Sequence, residues 1–276
     1  MRLALLVLLS GCGFEPSAAT PQDAAIAIPD IKPDMSIPVT WSVDGASGRG
    51  VPDSAQQWNE LIANNGLSIS PPDGLWLMQE TGGPLVPTIG TVVLSGSNTN
   101  ANTYQHAVQD WTRHAIATTA NQSTTFGNSS SSELPDVSSK SMMTLLYYAT
   151  PNAPTQQSSI FFGGSGLGYA EVGIDAADHF KLTANSVTNT GTFAHGRDVV
   201  PIVMKLDIDH AQQVLYVDHE KISGVNSPLS SSRGLLLAAA VHPDPEGRWL
   251  YMAAWYGASA EMTDTQVNSL LTALGW

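Results

Sequence analysis

Leu206 and Ile208 alternate with Lys205, Asp207 and Asp209 inside a stretch that runs from Asp198 to Gly224. A period of two sends successive side chains to opposite faces, so this run reads as a strand with one face buried. A polar break, His210 to Gln213, is followed by a second run, Val214 to Asp218, with Leu215 and Val217 on one side. Asp218-His219 then makes a tight turn before Glu220 to Ile222. The result is a meander of antiparallel strands. No alternation of helical and strand patterns along the chain supports a parallel sheet.

Further short apolar runs extend the same architecture. Strands are expected at Leu75–Met78, Val92–Leu94, Met142–Tyr148, Ile160–Phe162, Tyr169–Ile174, Phe180–Ala184 and Leu235–Val241, with an imperfect alternation over Trp111–Thr118. Ser95–Thr103 and Ser129–Glu133 are polar and turn-rich, and read as loops. The chain holds 24 Gly and 17 Pro in 276 residues, which favours short strands joined by turns over long helices. The expected fold is all-β, an antiparallel two-sheet jelly-roll β-sandwich.

Two helices flank it. Asp53 and Ser54 are alternative caps for a short helix near 54–65, with Gln56 and Gln57 three residues on, Trp58, Leu61 and Ile62 on one face, and Asn65-Gly66 as the stop. A C-terminal helix is expected near 264–274. Thr263 and Gln266 form a capping pair there, Met262 sits at the staple position, and Val267, Leu270, Leu271 and Leu274 make one apolar stripe.

Leu215-Tyr216-Val217-Asp218 resembles a line found in laminin-G-like and other concanavalin A-like domains, where a strand closes on an Asp-Gly turn. Here His219 replaces the glycine. Such a turn asks for positive φ at both central residues, and histidine is among the non-glycine residues that tolerate it at a cost. The run from Trp249 to Gln266 is similar to the last strand of that family and the threonine-aspartate turn after it. The resemblance covers roughly residues 75 to 276. It implies a concanavalin A-like sandwich that binds a glycan or a cell-surface partner without catalysis.

Met1-Arg2, the apolar run Leu3–Leu9 and then Ser10-Gly11-Cys12 describe a secretory signal. An apolar run this short cannot span a bilayer, which needs about 20 residues. Leu9-Ser10-Gly11-Cys12 resembles the bacterial lipobox, which implies diacylation of Cys12, the only cysteine in the chain. The expected organisation is a signal peptide at 1–11, a Pro- and Ala-rich tether at 12–50 and a β-sandwich domain at 51–276. Gly13 and Phe14 after the cysteine lean toward the outer membrane and cell surface of a Gram-negative bacterium.

A net charge of −13 argues against a nucleic-acid partner, which needs a basic face. Asp207 and Asp209 stand two apart on a strand, their Cα atoms roughly 6.8 Å apart on one face. Concanavalin A-like glucanases set catalytic acids in a Glu-x-Asp-x-(x)-Glu pattern, but Asp207-Ile-Asp209-His210-Ala211 lacks the final acid. A retaining pair also needs carboxyl groups about 5–5.5 Å apart. Asp207, Asp209 and Asp218 form one candidate calcium set and Asp175 with Asp178 another, since hard cations take several oxygens. No other cofactor is expected.

The seven histidines show no i, i+4 pair, and Gly163–Gly168 matches neither a nucleotide loop nor a serine elbow, so it reads as a hairpin turn. Trp111, Tyr251, Trp255 and Tyr256 are candidate aromatic platforms for a sugar ring. The reading is a lipid-anchored bacterial surface protein that binds a glycan or a surface partner. A glycan-cleaving hydrolase with acids on a concave face, and an adhesion protein with no small ligand, are the alternatives.

Overall fold

The computed structural model describes residues 42–43, 50–97, 99, 104, 114–117, 125–128, 139–148, 160–163, 169–175, 177, 179–184, 187–194, 199–207, 212–226, 235–237, 248–256 and 262–276. In chain order its elements begin with β1 (Ser42–Val43), β2 (Gly50–Val51), α1 (Ala55–Asn64), β3 (Gly74–Trp76), β4 (Ser95–Ser97) and β5 (Ile116–Ala117). Next come β6 (Thr125–Asn128), β7 (Ser139–Tyr148), β8 (Ile160–Gly163), β9 (Tyr169–Ile174), β10 (His179–Ala184) and β11 (Val187–Ala194). The last are β12 (Val199–Asp207), β13 (Gln212–Val217), β14 (Glu220–Asn226), β15 (Leu235–Leu237), β16 (Arg248–Tyr256) and α2 (Asp264–Ala273).

The fold is all-β, with every described strand pairing antiparallel. One seven-stranded sheet runs β11-β10-β9-β8-β15-β6-β4. The other runs β14-β13-β12-β7-β16-β3, with β5 beside β16. β1 pairs with β2 inside the stretch expected to be tether, and the compact unit begins at Thr40. Residues 1–39, which include the expected signal and lipidation cysteine, lie outside the described residues.

Period-two alternation explains the core. Val172 and Ile174 of β9 and Phe180, Leu182 and Ala184 of β10 join Ile202, Met204 and Leu206 of β12 in one apolar cluster. Both sheets therefore contribute to a shared interior. The opposite face of the second sheet is also covered. Val203, Tyr216, Met252, Ala254 and Tyr256 pack with Trp58 and Leu61 of α1 and with Val267, Leu270 and Leu271 of α2. This double burial is why β16 reads as a nearly continuous apolar run rather than a clean alternation.

Both helices form where their caps predict. Ser54 is the N-cap of α1, its hydroxyl accepting from Gln57 N–H at 3.2 Å, while the Gln57 side chain accepts from Asp53 N–H at 2.7 Å. Asn65 and left-handed Gly66 (φ 60°) end the helix. In α2 the capping box is complete: Gln266 N–H donates to Thr263 Oγ1 at 3.2 Å and Thr263 N–H to Gln266 Oε1 at 2.8 Å.

The meander closes as β12-β13-β14, with Asp207 opposite Gln212 and Val217 opposite Glu220. Its turn differs from expectation. Only Asp218 is left-handed (φ 53°), while His219 keeps a negative φ. A hairpin turn with one positive φ at its first central position places no demand on the second residue, so histidine stands there without strain. Gly163 pairs with Tyr169 between β8 and β9, and the rest of the glycine-rich run, residues 164–168, lies outside the described residues. β11 was not foreseen, and β4 falls in a stretch expected to be loop.

Candidate functional site: a groove where two sheet edges meet

β11 is the outer strand of one sheet and β14 the outer strand of the other. Side chains join the two edges. Glu220 Oε1, at the start of β14, accepts from Thr192 N–H, from Thr192 Oγ1 at 3.0 Å and from Phe193 N–H at 3.3 Å. Asn189 Nδ2 donates in return to the Ser223 carbonyl at 2.7 Å. Edge amides left exposed invite pairing with another chain, and here the carboxylate occupies two of them.

Gly191 makes this approach possible. A Cβ there would lie 2.8 Å from both Glu220 Oε2 and Ile222 Cδ1, closer than carbon atoms tolerate. The bare backbone lets the carboxylate settle over β11. Around this junction lies a groove of about 560 Å³, walled by Thr188, Asn189, Thr190 and Phe193 on one side and by His219 to Ser223 on the other. Phe193 is 62% exposed, so its ring is offered to solvent at the groove rather than to the core.

The turn that supports the groove is fastened from behind. His219 Nδ1 lies 3.2 Å from Asn268 Oδ1 of α2, and its Nε2 lies 3.8 Å from Asp218 Oδ1. The Lys221 ammonium bonds the Asp264 carboxylate and stands 5.9 Å over the Tyr216 ring. Lys205 Nζ reaches the same carboxylate at 3.2 Å. Lys221 foremost, then the Tyr216 hydroxyl and Lys205, hold the Asp264 carboxyl far below the usual carboxylate range, against the opposing effect of burial.

The two candidate platforms whose side chains are described, Trp255 and Tyr256, are not brought together. Trp255 is 1% exposed and packs in the cluster between the sheets, while Tyr256 is 3% exposed and packs under the helices. Neither presents a ring face to a sugar, because adjacent residues of β16 point into two different covered layers. Burial pushes the Tyr256 hydroxyl well above its ordinary pKa, with a nearby Trp58 acting the other way. Tyr251 is the extra residue of a β-bulge between Leu250 and Met252, and its side chain is outside the description, as is the whole of Trp111.

Asp207 ends β12, paired with Ser139 and Gln212, and Asp209 of the expected pair lies outside the described residues. Asp218 is taken up by the turn. Asp175 caps the β9–β10 hairpin, accepting from Ala177 N–H at 2.8 Å and His179 N–H at 3.0 Å, with His179 Nδ1 at 3.4 Å; Asp178 is outside the description. Burial works to raise the Asp175 carboxyl, but these two N–H groups and the His179 ring lower it overall. Among the described residues no three His, Cys, Asp or Glu side chains converge as metal ligands.

The groove residues were missed from sequence because β11 carries no apolar stripe. The signal was the repeated threonine of Thr188, Thr190 and Thr192, a β-branched alternation that marks an edge strand.

No protein-family model matches the chain, and no curated protein sequence does either. Solved structures do. Trypanosoma rangeli sialidase in complex with sialic acid is similar over 78% of this chain and 37% of its own, with a TM-score of 0.54 and 10% identity. The binding domain of botulinum neurotoxin serotype D is similar over 76% of this chain and 52% of its own, with a TM-score of 0.52 and 10% identity. A botulinum neurotoxin type C structure, described by its dependence on two ganglioside molecules for cell entry, covers 77% of this chain at a TM-score of 0.51 and 11% identity. The chain thus spans little over a third of the sialidase and about half of the toxin chains. At such identities the likeness is one of fold.

Proposed function

We propose that the protein is a glycan-binding surface protein with a concanavalin A-like jelly roll, and that the β11–β14 groove is its binding site. The carrying observation is the groove itself: an exposed aromatic ring, Phe193, beside threonine hydroxyls, an asparagine amide and a carboxylate whose position is held by three donors. Sugars are bound by this combination, an apolar ring against the C–H face of a pyranose and mixed donors and acceptors for its hydroxyls. The two antiparallel sheets sharing one core support the jelly roll. The similar sialidase and toxin binding domains lend the glycan reading further support.

Binding is favoured over cleavage. Most retaining or inverting hydrolysis asks for two carboxyl groups across the scissile bond; sialidases use a tyrosine nucleophile instead, and no tyrosine is among the described groove residues. Among the described groove residues Glu220 is the one carboxylate, and it is committed to the β11 backbone. The matched portion is also a minor part of the sialidase chain. We further propose that Cys12 carries the lipid that holds the domain at the outer membrane of a Gram-negative bacterium, with residues 13–39 as spacer. The sequence Leu9-Ser10-Gly11-Cys12 supports that reading.

A glycan array tests the site. The full chain is expected to bind a restricted set of glycans, and Phe193→Ala to lose them while melting at the wild-type temperature. A silent array, or binding indifferent to Phe193, rejects the groove as a glycan site.

A further inference from the structure

We infer that the β11–β14 groove takes a short linear oligosaccharide, two or three rings lying along β14, rather than a single terminal sugar. The inference rests on the reading of the groove as a saccharide site and assigns the form of its ligand. It starts from a bulge. Lys181 of β10 stands opposite Thr190 of β11 and His179 opposite Ala194, so three residues, Gly191 to Phe193, stand against the single Phe180. Extra residues bend an edge strand and re-aim its side chains. Here the adjacent N–H groups of Thr192 and Phe193 both turn onto one Glu220 oxygen, and the Phe193 ring is left exposed at the groove.

The groove therefore has two unlike ends. At one, Phe193 lies beside Glu220 and offers an apolar ring. At the other, Asn189 Nδ2 donates to the Ser223 carbonyl at 2.7 Å. A carboxamide carries one oxygen acceptor and two N–H donors, so among the described residues this amide keeps an acceptor and a donor for ligand hydroxyls.

Glu220 and Ser223 mark the two ends on β14, whose register against β13 is unbroken between them. Three strand steps separate the ends, roughly 10 Å, whereas one pyranose is about 5 Å across. A single ring stacked on Phe193 stops short of Asn189, and a second ring linked to it reaches the amide. No side chain divides the two positions on β11, because Gly191 lies between them. The cleft of about 560 Å³ is large enough for such an oligomer.

The test is a length series titrated calorimetrically against the full chain: linear oligomers of glucose, mannose, galactose, N-acetylglucosamine and sialic acid, each from one ring to five. The second ring is expected to tighten binding about two- to tenfold, the yield of one added hydrogen bond, and rings beyond the third to add less than about twofold. Asn189→Ala is expected to shrink the gain from the second ring, and Phe193→Ala to remove binding at every length, both melting as folded proteins. A single ring that binds as tightly as its oligomers, affinity still climbing at the fifth ring, or an Asn189→Ala loss equal at every length overturns the linear ligand and leaves the groove as the site. Silence across all series, or binding untouched by Phe193→Ala, overturns the saccharide reading and this inference together.

Discussion

Lys205 Nζ stands 3.2 Å from Asp264 Oδ1, joining the last third of β12 to the first residue of α2. The lysine side chain is 9% exposed and the aspartate 50%, so one partner sits in the protein and the other at its surface. The aspartate also lies where the positive end of the helix dipole favours an anion. Replacing it with asparagine is expected to cost about 1–2 kcal/mol, less than a fully buried pair because solvent screens half of the carboxylate. Lys205→Met, which keeps the packing and removes the charge, is expected to stay within about 1 kcal/mol. Urea unfolding of both variants decides the matter, and an Asp264→Asn cost indistinguishable from zero would mean the pair does not anchor the helix.

The same carboxylate contributes to the acid limb of stability. Its folded-state pKa lies below the ordinary 3.8, so the unfolded chain takes up the proton first as pH falls. Its contribution is complete above the unfolded value and disappears as pH drops through it toward the depressed folded value. Asp175 is shifted in the same direction and adds to the trend. Melting temperature should therefore fall below about pH 4, and Asp264→Asn should flatten that fall. An unchanged acid limb in the variant would place the titration elsewhere.

The α2 capping box offers a local test. Thr263→Ala removes the acceptor for Gln266 N–H and is expected to cost about 1 kcal/mol. Gln266→Ala removes the reciprocal bond to Thr263 N–H and a second one to the Ser68 carbonyl. The double variant should cost less than the sum, because both act on one cap. Strict additivity in thermal unfolding would speak against a shared motif.

Gly191→Ala probes the groove floor. The added methyl meets Glu220 Oε2 and Ile222 Cδ1 at 2.8 Å, so the ends of both side chains must shift and the carboxylate's fit to its β11 donors is loosened. A loss of about 1–2 kcal/mol is expected, together with weaker glycan binding. Adding Glu220→Ala should recover part of the stability and none of the binding. Wild-type behaviour of Gly191→Ala would show that the two edges are not closely joined.

Trp255 separates core from ligand platform. Trp255→Ala is expected to destabilise by about 3–5 kcal/mol, as large-to-small core changes do. Trp255→Phe, which refills much of the space, should keep glycan binding. Lost binding at full stability in either variant would return Trp255 to the candidate site.

The ends of α1 and α2, the β13–β14 hairpin and most strands of both sheets were legible in the sequence. Ser54 with Gln57, Thr263 with Gln266, and the Leu215–Val217 alternation each involve residues within four positions of one another. Trp255 and Tyr256 were misread because aromatic residues at the end of a strand look alike whether covered or bare. Only the docking of α1 and α2 on the outer face of β16 shows that both sides are closed. β11 escaped because an edge strand with one buried residue, Gly191, leaves no apolar period to find.

By itself the sequence determined most of the antiparallel strands and the helix caps, since backbone geometry, side-chain period and local hydrogen bonds act over a few residues. The tertiary structure alone decided which side chains meet across long stretches of chain: Lys205 with Asp264, and Glu220 with Thr192. Those encounters depend on how two sheets and two helices stack. That stacking is driven by non-directional burial of apolar area, which a linear pattern signals without saying which faces will touch.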